Sequence, residues 1–248
     1  MAHLTSRNPL IAYFTIAFGL TWLLQIPALL LAYANDQPIG NEDNLRYLFD
    51  LVRGRLTTGE LTSYLLFLLG AGPVIAAVVV LGATQGREGI RDLLRRMANW
   101  RIPARWYVIA FALPLGLAGV SLLAGVVVGG VDLRSYDPLL PASYAIPFFI
   151  YLLLVTGLYE EPGWRGFALP YLQRDNTAIK ASWILGIAWA VWHFPILIYY
   201  NLVVTEVAPP VLIPILAGAV MGTVGWTIVN TWIYNSTESI FLMIVLHG

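Results

Sequence analysis

The sequence predicts an all-α fold, a polytopic transmembrane bundle of about seven to eight helices that forms a single integral membrane domain over residues 1–248. Hydrophobic residues make up 58% of the chain and charged residues only 11%, whereas soluble domains carry about 25% charged residues. Several apolar runs reach roughly 18 residues, the length that an α-helix needs to cross a bilayer. The alternation of apolar and polar residues expected of membrane β-barrel strands is missing.

The apolar runs divide the chain into seven segments. They run over about 9–33, 61–83, 106–130, 144–172, 179–200, 211–233 and 238 to the end. The first run lacks a short core followed by a small-residue cleavage site, so we interpret it as an uncleaved helix. In the fourth run Pro162 lacks an amide donor and disfavours helix in the residue before it, so we expect a kink at Glu161. Residues 84–105 form either an amphipathic interfacial helix or a solvated loop.

Arginine and lysine in the short connections predict the orientation, because cytoplasmic loops carry an excess of both. The connection 84–105 contains six arginines, whereas the connection 131–143 contains only Arg134. Arg174 and Lys180 fall on the same side as the six arginines. We therefore expect a cytoplasmic N-terminus in a plasma membrane of bacterial or archaeal type, with lipid as the surrounding partner. The formal net charge of zero provides no basic patch for nucleic acid.

Ionisable residues interrupt three of the predicted helices at a similar depth. They are Glu160, Glu161 and Arg165 in the stretch YEEPGWRGF, His193 in the fifth segment and His247 in the seventh. At 1.5 Å per residue, Glu160 and His193 lie about 20 Å from the cytoplasmic edge and His247 about 14 Å. Ionisable groups at such depth cost several kcal/mol unless they face a partner, water or the protein interior. We expect these side chains to share one functional site that is open to the cytoplasm.

A purely structural role explains part of this pattern. Arg165 stands four residues after Glu161, so one helical turn can pair the two charges, but the second carboxylate is then left over. His193 can bond a backbone carbonyl freed by a nearby proline, and His247 can bond a neighbouring helix. We interpret Trp189 as a packing or lipid-facing aromatic residue.

The residue types favour hydrolysis of a peptide bond. A glutamate in an apolar pocket beside a histidine can act as a general base toward water. Two neutral imidazoles and a carboxylate, here His193, His247 and Glu160, can also hold a zinc ion with a position open for water. The chain has no cysteine, which excludes cysteine nucleophiles. It also lacks the G-x-S-x-G and H-E-x-x-H motifs of other hydrolases.

Three spaced motifs resemble those of the intramembrane protease family that contains the CAAX prenyl endopeptidases: Glu160-Glu161-x-x-x-Arg165, Trp189-x-x-x-His193 and His247. This family, often called CPBP, includes bacteriocin-processing and immunity relatives, and the resemblance covers about 145–248. It implies a cone of helices around a site open to the cytosol, where Glu160 and His193 activate water. His247 would hold a metal, expected to be Zn²⁺, or the oxyanion, while the second glutamate and the arginine brace the site. Substrates would be peptides or lipidated proteins.

Two features depart from the family pattern. Trp189 stands where the family usually has phenylalanine, a change that affects packing more than chemistry. The family's last motif is H-x-x-x-N, but the sequence stops at Gly248, one residue after His247. The seventh segment would then have about ten residues, half of what a crossing needs. We therefore expect a protease core over 144–248 that is truncated at its C-terminus.

Two other functions stay open. One is a non-catalytic membrane scaffold or bacteriocin-immunity protein that retains the fold. The other is a proton-coupled transporter that uses the same carboxylates and histidines as a relay. Against transport, the sequence has no paired Gly/Pro-broken helices at matching positions in two halves. Nothing in the sequence reports a prenyl pocket or an oligomeric state.

Overall fold

The computed structural model describes residues 8–133 and 141–248, and over these ranges the chain is helical and forms no strand. The predicted all-α fold is therefore confirmed. In chain order the helices are α1 Pro9–Ala34, α2 Asn41–Val52, α3 Thr58–Leu68, α4 Gly72–Met97, α5 Ala104–Val127, α6 Ala145–Leu152, α7 Leu158–Gly163, α8 Leu169–Leu172, α9 Ala178–Trp192, α10 Phe194–Tyr199, α11 Pro209–Thr237 and α12 Ile240–His247.

The described helices indicate an integral membrane protein. By length and composition four runs can cross a membrane: α1, α5, Ala142–Leu172 and α11. Two bent pairs bring the number to six if each pair is one span. The first pair is α3 with α4, bent by 44°, and the second is α9 with Phe194–Val204, bent by 49°. The seventh predicted segment is the eight-residue helix α12.

The structure corrects one local prediction and narrows another. The run Ala142–Leu172 does not break at Glu161; instead π-helical segments, Leu153–Gly157 and Trp164–Ala168, flank α7. Pro162 removes only one amide from the helical ladder, and wider turns on each side accommodate it. Of the two interpretations of 84–105, the structure shows helix as far as Met97, with a kink at Gly86, where φ is +62°.

Close backbone contacts hold the helices that carry the predicted site. A Cβ atom on Gly163 would lie 2.6 Å from the backbone of Pro73, so α7 meets the start of α4 with no space for a side chain. A Cβ atom on Gly186 would lie 2.7 Å from the Cα of Val224, so α9 and α11 are equally close. Glycine lets these helix pairs approach as small residues do in membrane bundles.

The two ends of the bundle differ in composition. At the arginine-rich end, defined by residues 84–105, 171–180 and 234–240, Arg96 Nη1 donates to Tyr234 Oη at 2.6 Å. At the opposite end, defined by residues 35–62 and 196–206, Tyr199 Oη donates to the carbonyl of Gln37 at 3.3 Å.

Candidate active site

The motif in α7 and the following π-helical segment carries buried charges. Glu160 is 5% exposed, Glu161 1% and Arg165 0%. Buried charges are tolerated only when they are paired, and Arg165 Nη1 donates to Glu161 Oε1 at 2.8 Å across one helical turn. The ion pair predicted from the four-residue spacing is therefore present.

His247 joins this pair from α12. Ser239 accepts from the Leu242 amide at 3.0 Å and caps the first turn of α12, which directs the helix into the bundle. His247 Nδ1 then donates to Glu161 Oε1 at 2.6 Å. The fourth and seventh predicted segments thus meet at one carboxylate.

Glu160 is held by two indole groups. Trp189 Nε1 donates to Glu160 Oε2 at 2.6 Å, and Trp164 Nε1 donates to the same oxygen at 3.3 Å. Trp189 is 5% exposed, and the Arg165 guanidinium lies 4.4 Å from its ring centroid. Of the two roles that we gave Trp189, packing is confirmed and a lipid-facing position is wrong, and the indole also donates to Glu160. The sequence feature that could have indicated this contact is the four-residue spacing between Trp189 and His193, which places both side chains on one helix face.

His193 sits at the bend after α9. Its backbone amide bonds Ala190, which leaves the carbonyl of Trp189 free to accept from His193 Nδ1 at 2.9 Å. The carbonyl of Trp189 is available because of this tight turn, and not because Pro195 lacks an amide hydrogen as we expected. Because Nδ1 carries the hydrogen, Nε2 of the neutral ring presents a lone pair. That Nε2 lies 3.9 Å from Glu160 Oε2.

Each of the two imidazoles lies near a different oxygen of Glu160. His247 also uses Nδ1 as a donor, and its Nε2 lies 3.8 Å from Glu160 Oε1. Separations of 3.8 and 3.9 Å exceed the range of a direct hydrogen bond. The Glu160 carboxylate and His193 Nε2 therefore border a gap that suits a donor such as water, and His247 Nε2 lies on the other side of the carboxylate.

Asn230 of α11 is a site residue that the sequence reasoning missed. It is buried, and its hydrogen bonds are satisfied when the side-chain oxygen accepts from Arg165 Nη2 at 2.9 Å and Trp226 Nε1 at 3.2 Å. Its position could have been noticed from the sequence, because a polar amide inside an apolar membrane segment needs a hydrogen-bond partner.

The predicted zinc ligands, Glu160, His193 and His247, lie near one another. Within residues 8–133 and 141–248, no group of three or more histidine, aspartate or glutamate side chains is placed to hold a metal ion. The Glu160 oxygen nearest His193 also accepts from two indoles. Zinc binding by Glu160, His193 and His247 stays a prediction.

A cavity of about 450 Å³ begins at these residues. Glu160, His193 and His247 border it, and it reaches Gly40 and Tyr200 at the opposite end of the bundle. That the site opens to the cytoplasm stays a prediction. The sequence did not reveal the 49° bend at His193, and the residues after that bend help to line the cavity.

Comparisons with known proteins agree with this arrangement. Residues 142–248, which include every predicted site residue, match the family described as Type II CAAX prenyl endopeptidase Rce1-like. CAAX prenyl protease 2 of Methanococcus maripaludis is 29% identical over 143 residues, 56% of this chain and 52% of that protein. The chain thus spans about half the length of the curated relative.

Fold and site together define a helical membrane protein with a buried glutamate–histidine centre. Residues 142–248 are similar to the family of the CAAX prenyl endopeptidases. The resemblance predicted from the three motifs is confirmed.

Proposed function

We propose that the protein is an intramembrane endopeptidase in which Glu160 and His193 activate a water molecule. The observation that carries this proposal is the position of the Glu160 carboxylate, 3.9 Å from His193 Nε2 and 3.8 Å from His247 Nε2 at the inner end of a cavity. A water molecule there can donate one hydrogen bond to the Glu160 carboxylate and another to Nε2 of a neutral His193 ring, because both groups are acceptors.

The proposed reaction begins with this water. Its oxygen attacks the carbonyl carbon of the peptide bond while one of its protons passes to Glu160. The C–N bond then breaks, and the same proton moves from Glu160 to the departing amine. The products are a carboxylic acid and an amine, so atoms and charges balance.

His247 has the position of an oxyanion donor. Two buried carboxylates, Glu160 and Glu161, face one fixed cation, Arg165, so one further proton makes the cluster neutral. We place that proton on His247, which lies between both carboxylates. Its Nε2–H would then donate to the oxyanion, and such donors are commonly worth about 3–4 kcal/mol.

The substrate class follows from the cavity and the relative's name. Leu152, Val155, Phe67 and Ile196 give the cavity an apolar lining that suits hydrophobic side chains. The name of the Methanococcus relative refers to prenylated CAAX sequences. We propose a peptide or a lipidated protein as the substrate.

Substitution of the two central residues tests this function. We expect Glu160→Gln or His193→Ala to lower cleavage of a membrane-tethered peptide reporter by about 10²-fold or more, the usual range of general acid–base catalysis. Ser236→Ala, at an exposed position, is the matched control. Size-exclusion profiles in detergent would verify folding, and undiminished cleavage by both site variants would refute the mechanism.

The zinc prediction has a separate test. Zinc per chain would be measured in the purified native protein and in the His193→Ala and His247→Ala variants. Bound zinc that is lost in both variants would support the predicted ligands, whereas bound zinc that persists in both would contradict them.

A further inference from the structure

Gln25 is a polar residue within the apolar helix α1, which runs over Pro9–Ala34. Its side chain faces the protein interior, since Gln25 is only 7% exposed whereas its neighbours Leu23 and Ile26 are exposed. A carboxamide that is buried in this way loses its hydrogen bonds to water. It therefore needs a partner from the protein or from a ligand.

The carboxamide oxygen of Gln25 lacks a protein partner. Among the residues that the structure describes, Gln25 Oε1 accepts no hydrogen bond. Thr21, one turn earlier in α1, shows the contrast, because its Oγ1 donates to the carbonyl of Gly70 at 2.8 Å. Buried polar groups are nearly always paired, so an unpaired one requires an explanation.

Gln25 borders the cavity that contains the candidate site. It lines the same cavity of about 450 Å³ as Glu160 and His193. Trp22 stands three residues before Gln25, on the same side of α1, and its Nε1 donates to the carbonyl of Trp192 at 3.0 Å. Gln25 thus belongs to the face of α1 that packs against the bend carrying His193.

A peptide in this cavity would supply the missing donor. Each residue of a peptide except proline carries a backbone N–H group, and a buried N–H group needs an acceptor. Phe67, Val155 and Ile196 of the lining have no hydrogen-bonding side chain. The torsion that turns a glutamine amide is broad, so the carboxamide of Gln25 can turn its oxygen toward an occupant.

We propose that Gln25 binds the backbone of the peptide substrate, with Oε1 accepting a hydrogen bond from one of its N–H groups. The inference rests on the proposed function in calling this occupant a substrate. Helix α1 lies outside residues 142–248, which carry the family match. The N-terminal half of the chain would then contribute directly to substrate binding, and Gln25 would take no part in breaking the bond.

Binding of a fluorescently labelled apolar peptide to the purified protein in detergent tests this proposal without requiring cleavage. Gln25→Leu removes the acceptor, and we expect Kd to rise roughly 3- to 10-fold, the usual effect of one hydrogen bond. Because Oε1 is unpaired among the described residues, the melting temperature should stay the same or rise. Gln85→Leu, the same change at an exposed position outside this cavity, should leave Kd unchanged.

Peptides in which one amide is replaced by an ester identify the contact, because an ester has no N–H group. We expect one ester position to weaken binding to the native protein and to have no further effect in Gln25→Leu. A purely structural role of Gln25 would not produce this non-additivity.

An unchanged Kd in Gln25→Leu would overturn the proposal, as would a native protein that does not bind the peptide. Additive effects of Gln25→Leu and every ester would overturn it too. Undiminished cleavage by Glu160→Gln and His193→Ala would instead refute the proposed function and leave these binding results unchanged.

Discussion

At the scale of single residues, the site depends on hydrogen bonds that orient two carboxylates. One oxygen of Glu161 accepts from both Arg165 and His247. One oxygen of Glu160 accepts from two indoles, which leaves its other oxygen facing His247. Each carboxylate therefore has a fixed orientation, which would lower the cost of reorganisation in the proposed reaction.

Trp189 provides the first test at this scale. Trp189→Phe keeps an aromatic ring near Arg165 but removes the N–H that donates to Glu160. A hydrogen bond to a charged group is worth about 1.5–3 kcal/mol, so we expect cleavage to fall roughly 10- to 100-fold. Trp192→Phe is the matched control, because Trp192 Nε1 has no hydrogen-bond partner. Equal losses in both variants would assign the effect to ring packing.

Asn230 provides the second test. Asn230→Ala removes the acceptor for Arg165 Nη2 and Trp226 Nε1, and an unsatisfied buried donor costs about 1–3 kcal/mol. We expect lower thermal stability and a lower kcat with little change in KM, because the residue positions Arg165 without bordering the cavity. Asn235→Ala, which removes an exposed amide, should change neither the thermal stability nor kcat. A change in KM alone would contradict a positioning role.

At the scale of helices, glycine determines how closely the motif helix meets its neighbour. Gly163→Ala would place a methyl group 2.6 Å from the backbone of Pro73. Overpacking of this kind costs about 1–3 kcal/mol, so we expect a lower melting temperature in detergent. Gly218→Ala has no atom within 4 Å of the added Cβ and should be neutral or stabilising. Similar melting temperatures for Gly163→Ala and the native protein would show that α7 can move away from α4.

At the scale of the whole molecule, the site needs helices outside the family match. Tyr13 of α1 stacks on Phe167 with centroids 4.8 Å apart and meets Trp164 edge-on at 5.8 Å. Trp22 Nε1 donates to the carbonyl of Trp192 at 3.0 Å, beside the bend that carries His193. The N-terminal half thus contacts both the motif helix and the bend that carries His193.

A truncation tests this dependence. We expect residues 142–248 expressed alone to lose reporter cleavage and to elute as aggregates, because the buried face of the motif helix would be exposed. The full chain expressed in parallel is the control. A fragment that elutes as a defined species and cleaves at the native rate would show that the family core is self-sufficient.

Much of this architecture was predictable from local sequence. Long apolar runs predict membrane helices because lipid forces each backbone group to bond within its own segment. The Glu161–Arg165 pair follows from helical spacing. The contacts of Trp189 and Asn230 were not predictable, because each joins helices distant in the chain and both residue types often have purely packing roles.

The sequence by itself determined that this is a helical membrane protein, with Glu160, Glu161, Arg165, His193 and His247 as its candidate site. Composition and spacing suffice for this, because hydropathy and helical periodicity are local properties. Only the tertiary structure decided which atoms meet and on which side of them the cavity extends. Those outcomes depend on the bend at His193 and on close helix contacts, which hydropathy and helical periodicity do not specify.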